Sequence, residues 1–176
     1  FSIAATYNRA YFGTGEFGFD NGALNGVGNG FTGTTLANRI GTGGPVTSDS
    51  VGIQMAARLH RYVQLNAWAG YTNVDLLEDD IEGVIWNGAV ALAFPDLGKP
   101  GNVAALVVGV EPYVTNLNGF NDIFKDDIPF HVEGFYKIQV TNNISITPGV
   151  IWLTAPNQDA DNDDIFIGTI RTTFRF

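Results

Sequence analysis

Apolar and polar residues alternate along most of this chain, and the alternation has a period of two. Residues 1–11 set Phe1, Ile3, Ala5 and Tyr7 against Ser2, Ala4, Thr6 and Asn8. Residues 51–59 set Val51, Ile53, Met55, Ala57 and Leu59 against Gly52, Gln54, Ala56 and Arg58. From Tyr62 to Tyr71, Val63, Leu65, Ala67, Ala69 and Tyr71 oppose Gln64, Asn66, Trp68 and Gly70. In 83–94, Val84, Trp86, Val90, Leu92 and Phe94 oppose Asn87, Ala89, Ala91 and Ala93. In 129–140, Phe130, Val132, Tyr136, Ile138 and Val140 oppose His131, Glu133, Lys137 and Gln139. Segments 144–154 and 164–176 behave alike, the last placing Ile167, Thr169, Arg171, Thr173 and Arg175 opposite Phe166, Ile170, Phe174 and Phe176. A period of two marks half-buried β-strands. Residues 102–111 are nearly all apolar, so they read as a strand whose facing stays open. The pattern predicts an all-β chain of eight strands of about 9–13 residues, a length that crosses a bilayer when tilted.

The connections sort by length. Short turns are predicted near 60–62, 95–101 and 141–143, where Asn142-Asn143 tolerates positive φ. Long loops are predicted at 12–50, 72–82, 112–128 and 155–163. Alternation of long and short connections is the pattern of an outer-membrane barrel, and an even strand count puts both chain ends on the short-turn side. Pro148 falls inside the seventh strand and predicts a bulge or kink there. Arg58, Lys137, Arg171 and Arg175 all take the polar parity of their strands. In a dry core each such cation would cost several kcal/mol, whereas facing water it costs little. The polar faces are therefore expected to line a wet interior.

Composition narrows the picture further. The 176 residues are 45% hydrophobic and 15% charged, with 22 glycines and no cysteine. The absence of cysteine removes disulfides and thiolate metal sites. A net charge of −9 argues against nucleic acid as partner. No run of about 18 apolar residues predicts a transmembrane helix. No signal peptide is visible. The chain opens on strand-like sequence without Met, which reads as a fragment.

Candidate chemistry is sparse. Gly28, Gly30 and Gly33 have the G-x-G-x-x-G spacing but lack the strand and helix that give it force, so residues 12–50 read as a flexible surface loop. His60 falls at a turn and His131 on a wet face, neither with a serine or carboxylate spacing that suggests a relay. No enzyme activity and no cofactor are expected. Asp159, Asp161 and Asp163 could present oxygens to Ca²⁺, although the glycine and glutamate of an EF-hand loop are missing. The plainer reading is an acidic rim, extended by Asp79, Asp80, Asp122, Asp126 and Asp127, that attracts cations diffusely. Trp86, Trp152, Tyr7, Tyr71 and Tyr136 suit interfacial girdles. Trp68 has the opposite parity and suits a pore wall or a subunit contact.

Two segments carry a family resemblance: FYKIQVTNNISITPGVIWLTAPN at 135–157 and DDIFIGTIRTTFRF at 163–176, with RLHRYVQLNAWAGYTN at 58–73 a looser match. They resemble the carbohydrate-selective porin family, in its cyanobacterial branch. The resemblance implies a passive channel in the outer membrane for small polar solutes such as sugars and inorganic ions, usually trimeric, with about sixteen strands. Residues 1–176 would then be the C-terminal half of a transmembrane antiparallel barrel. Its partners would be lipid, the N-terminal half of the same barrel and other copies of the chain. The inward-folded constriction loop is expected in that other half, as is a cell-wall-binding domain upstream. The expected pore wall is Gln54, Arg58, Gln64, Asn66, Asn87, Glu133, Lys137, Gln139, Arg171 and Arg175. The alternative is a complete eight-stranded barrel serving as a structural or adhesive anchor, its interior filled by side chains. Small inward residues, Ala56, Ala89, Ala91 and Ala93, leave that interior underfilled.

Overall fold

The computed structural model describes residues 1–19, 32–79, 81–118 and 125–176. The chain forms one antiparallel sheet of eight strands in sequence order. These are β1 (Ser2–Phe12), β2 (Val46–His60), β3 (Val63–Leu76), β4 (Ile81–Pro95), β5 (Val103–Leu117), β6 (Phe130–Gln139), β7 (Ile144–Leu153) and β8 (Ile165–Phe174). β1 and β8 are the two edges of the sheet and do not pair with each other. The chain is thus all-β with an open sheet, and the closed eight-stranded anchor is not what forms.

Several strands run longer than the sequence pattern suggests. β2 begins at Val46, β3 reaches Leu76 and β5 reaches Leu117. The predicted long loop at 72–82 is largely strand, since β3 runs to Leu76 and β4 starts at Ile81. Asp75 and Glu82 pair directly across β3 and β4 instead of ending the strands. Both carboxylates point to the face opposite to the buried Val74 and Leu76, where they keep contact with water, so they do not end the strands.

Pro148 produces no bulge. It pairs with Ile170 of β8 in unbroken register. Towards β6 the register is the same on both sides of a gap, from Phe135↔Gly149 to Ile138↔Ile146. Proline has no N–H to donate, so the ladder is interrupted there without being shifted. The register does shift opposite Pro112, between the Trp86↔Tyr113 and Gly88↔Val110 pairs.

Directly opposed residues in an antiparallel ladder point to the same side. The row Tyr7↔Val51↔Tyr71↔Trp86↔Tyr113 therefore lies on one face. So do Leu65↔Leu92↔Leu106 and Ala67↔Val90↔Val108↔Val132↔Trp152↔Phe166. This face is apolar and exposed, with Val51 at 51%, Val90 at 49% and Ile170 at 80%. A contiguous apolar surface of this breadth marks contact with lipid or protein.

The one cluster of buried apolar side chains among the described residues lies on the opposite, polar face. Val46, Val74, Leu76, Ile85, Val114 and Leu117 line it from the ends of β2–β5 that lead into the turn at Leu76 and the segment after Leu117. Phe17, Ala37 and Ile40 pack down on them from the segment between β1 and β2. The described parts of that segment, residues 13–19 and 32–45, lie back against the sheet, where the sequence reading expected a flexible surface loop.

Candidate functional site

The ten residues expected to line a wet wall come from five strands, and the ladders collect them. Arg58 pairs with Gln64, Ala56 with Asn66, Gln54 with Trp68, and Gly70 with Asn87. Gln64↔Ala93↔Ala105↔Phe135 carries the same face to β6, which brings in Glu133, Lys137 and Gln139. Phe135↔Gly149↔Thr169 carries it to Arg171 on β8. Arg175 continues that parity just beyond β8, with its amide donating to the Asn143 carbonyl at 2.9 Å. The apolar set, Val51, Ile53, Met55, Val132, Ile138, Val150 and Phe174, takes the other face. Leu59 sits at the irregularity between Arg58 and His60.

Small residues clear space in the middle of the polar face. Ala89, Ala91, Ala93, Ala105 and Gly109 sit there between the longer amides and charges. Trp68 lies among them at 45% exposure, flanked by Gln54 and Ala89. Across β6–β8 an open groove of about 620 Å³ has Glu133, Phe135, Thr147, Thr169 and Arg171 in its walls. Lys137 falls at the level of Thr147, which pairs with Arg171.

His131 has carboxylate company that the sequence reading did not assign. Its Nδ1 lies 3.2 Å from Glu111 Oε1, and its Nε2 lies 3.5 Å from Glu133 Oε2. All three side chains are half-buried on the polar face. Only the protonated imidazole can donate to both carboxylates at once. The Glu133 contact was legible, because residues two apart on a strand share a face. Glu111 comes from β5 beside a register shift, and no local spacing announces it.

Gln158 and Thr34 also escaped the sequence reading. Gln158 is fully buried. Its Oε1 accepts the Val114 amide at 2.8 Å, and its Nε2 donates to the Val114 carbonyl at 2.6 Å. β6 starts opposite Val110, so Val114 has no strand partner on that side. The Gln158 side-chain amide takes the place of one. The same Oε1 accepts the Thr34 hydroxyl at 2.8 Å, while Nε2 also donates to the Lys125 carbonyl at 3.2 Å. One side chain thus joins β5, the segment before β2 and the segments flanking β6 and β8. Next to it, the Thr35 hydroxyl donates to Asn157 Oδ1 at 2.7 Å. Gly33, with φ of 92°, lets the Thr34 amide reach the Pro112 carbonyl at 2.9 Å, and a β-carbon on Gly33 would collide with Pro112. This glycine serves a close backbone approach, not a phosphate cradle. Gly28 and Gly30 lie outside the described residues.

At the loops, Asp159 and Asp161 hold the Lys125 ammonium at 3.2 and 3.0 Å. The Asp161 backbone amide, with Lys125 beside it, holds the Asp159 carboxyl below the usual aspartate range. The same two carboxylates raise Lys125, Asp161 most strongly. Asp163 has no part in this clamp, and among the described residues no group of three acidic or histidine side chains is arranged to hold a metal ion. Asp127 accepts the Ala160 amide at 2.9 Å, tying the same two segments together. Asp79 and Asp126 are exposed, and Asp80 and Asp122 lie outside the described residues. On the apolar face, Tyr71 meets Trp86 edge-on and Trp152 stacks on Phe166.

Comparison with known proteins agrees with this geometry. A protein of Nostoc sp. described as uncharacterized is 40% identical over 177 residues, covering 99% of this chain and 29% of the relative. An uncharacterized protein of Synechocystis sp. is 31% identical over 199 residues, covering 99% of this chain and 34% of the relative. The chain thus spans about a third of the length of these curated relatives. No solved structure matches it. Residues 1–176, the whole chain, match the family described as carbohydrate-selective porin, OprB family, and the chain belongs to that family.

Proposed function

We propose that this chain is the C-terminal half of an outer-membrane barrel that conducts small polar solutes, sugars and inorganic ions, by passive diffusion. The observation that carries the reading is the sorting of faces. Amides and charges from β2, β3, β4, β6 and β8 share one face, and the other is apolar and exposed. Amide and paired-charge walls exchange hydrogen bonds with hydroxyl-rich solutes and ions as these shed water. The lumen wall is Gln54, Arg58, Gln64, Asn66, Asn87, Glu133, Lys137, Gln139, Arg171 and Arg175. Further strands of a longer protein cover the edges β1 and β8, because a bilayer does not tolerate open backbone. The reading extends to a homotrimer in a cyanobacterial-type outer membrane; the family supports the outer membrane and the source of the relatives supports its cyanobacterial type.

The test is ion selectivity. In the full-length protein in planar bilayers, Arg171→Glu with Arg175→Glu shifts the reversal potential towards cations. The shift shrinks at high salt, where the Debye length falls to about 3 Å at 1 M. No shift at low salt in a correctly folded variant would remove these arginines from the conducting path.

A further inference from the structure

The segment between β1 and β2 is not a bystander at the barrel mouth. Thr34, Ala37 and Ile40 are buried, while Thr32, Thr35, Arg39 and Thr42 are exposed. The buried set turns to the sheet, where Ala37 and Ile40 meet Val46, Val74, Ile85 and Val114. All four wall residues have the parity of the proposed lumen. The exposed set therefore faces away from the wall on the lumenal side. Backbone bonds hold the segment at both ends: the Thr34 amide donates to the Pro112 carbonyl, and the Pro45 carbonyl accepts the Leu77 amide at 3.0 Å.

We propose that residues 32–45 are an inner constriction that limits the size of solute passing through this half of the barrel, and that Gln158 is the positioning residue that keeps them there. The inference rests on the channel reading. Its physical basis is the burial of Gln158. A side-chain amide removed from water must find partners, and each one lost leaves a buried polar group unsatisfied. Gln158 finds them on Val114, Thr34 and Lys125 together, so the segment cannot lift off without breaking that set. The Thr34 hydroxyl also accepts the Ala37 amide at 3.2 Å, which transmits the anchor to the residue packed on the wall. A segment laid over the lumenal face subtracts its own thickness from the open cross-section. Its removal leaves a wider path.

The experiment uses the full-length protein in planar bilayers and in liposomes challenged with sugars of graded size. Gln158→Leu keeps the bulk and removes every side-chain hydrogen bond. It should raise single-channel conductance and admit larger sugars. Thr34→Val should move both readouts the same way, and Thr34→Ser, which keeps the hydroxyl, should match the wild type. Residues 1–176 contain no cysteine, so Arg39→Cys, with any cysteine elsewhere in the full-length protein replaced by serine, offers a single thiol on the exposed side of the segment. A bulky thiol-reactive adduct there should cut the current, and this variant decides the matter where Gln158→Leu does not fold. Wild-type conductance and size limit in the folded Gln158→Leu and Thr34→Val proteins would overturn the inference, as would an adduct on Arg39→Cys that leaves the current unchanged. Both results would leave the channel reading standing. A wild-type protein that carries no current at all would overturn that reading, and the inference with it.

Discussion

Single side chains tie together the segments that join these strands. Gln158 works from complete burial, where a net hydrogen bond is worth about 1 kcal/mol and an unpaired polar group costs about 1–3 kcal/mol. The Lys125 clamp works in the open, where an ion pair contributes little and responds to pH and salt. Because the folded value of Asp159 is depressed, its contribution is present above the ordinary aspartate value of 3.8 and is lost as pH falls through the lower, folded value. Lys125 is raised, so its contribution is present below the ordinary lysine value of 10.5 and is lost as pH climbs through the higher, folded value. The clamp should stay closed between these limits. Carbon-detected NMR of the Asp159 carboxyl should give a midpoint below 3.8. Lys125→Met should raise it only part of the way, because the Asp161 amide, 3.0 Å away, is the larger cause and remains. A full return to 3.8 on losing the lysine would contradict this ranking of causes.

Strands matter here as two-faced ribbons. Asn66 and Ala67 oppose Ala91 and Val90, so Asn66 and Val90 lie at neighbouring levels on opposite faces. They form a matched pair for testing which face meets lipid. Arginine at Val90 should destabilise the full-length protein in lipid vesicles by about 2–4 kcal/mol if that level is the bilayer midplane. Arginine at Asn66 should cost far less, since the lumen hydrates it. Urea unfolding in vesicles measures both, and equal costs would mean that the two faces see the same medium. The prolines obey the same element-level logic. Pro112 sits at a register shift and Pro148 at a gap in the ladder, the two places where a missing N–H is tolerated.

At the scale of the molecule, the open sheet is the dominant fact. β1 and β8 each have one neighbour, and nearly every residue of β1 and all of β8 are exposed. Left bare, such edges invite pairing with other chains. Within the longer protein proposed here, both edges acquire strand partners. Hydrogen exchange of the full-length protein in a membrane should then find amides of β1 and β8 as slow as those of β3 and β4. Fast exchange along either edge strand would mean that this sheet is not completed by the rest of its own chain.

The amino-acid sequence by itself determined the eight strands, the faces of the alternating ones and the family, while the facing of β5 came only from its ladders with β4 and β6. Period-two alternation is a local property, and a slip of one residue would move every side chain to the wrong side, so the pattern tolerates a single answer. It also placed Lys137, Arg171 and Glu133 on one wall. Strand ends were less legible, because an acidic residue such as Asp75 continues a hairpin when its own face meets water, even though Val74 and Leu76 beside it are buried on the other. Only the tertiary structure decided the rest. Phe17, Ala37 and Ile40 show no period, and their partners Val46, Val74 and Val114 are strand residues that only the sheet brings side by side. Thr34 meets Gln158 across 124 residues. Glu111 reaches His131 from a neighbouring strand beside a shifted register. Contacts of that kind depend on how the sheet curves and where a segment can fold back. Those are properties of the assembled strands, and no window of the sequence contains them.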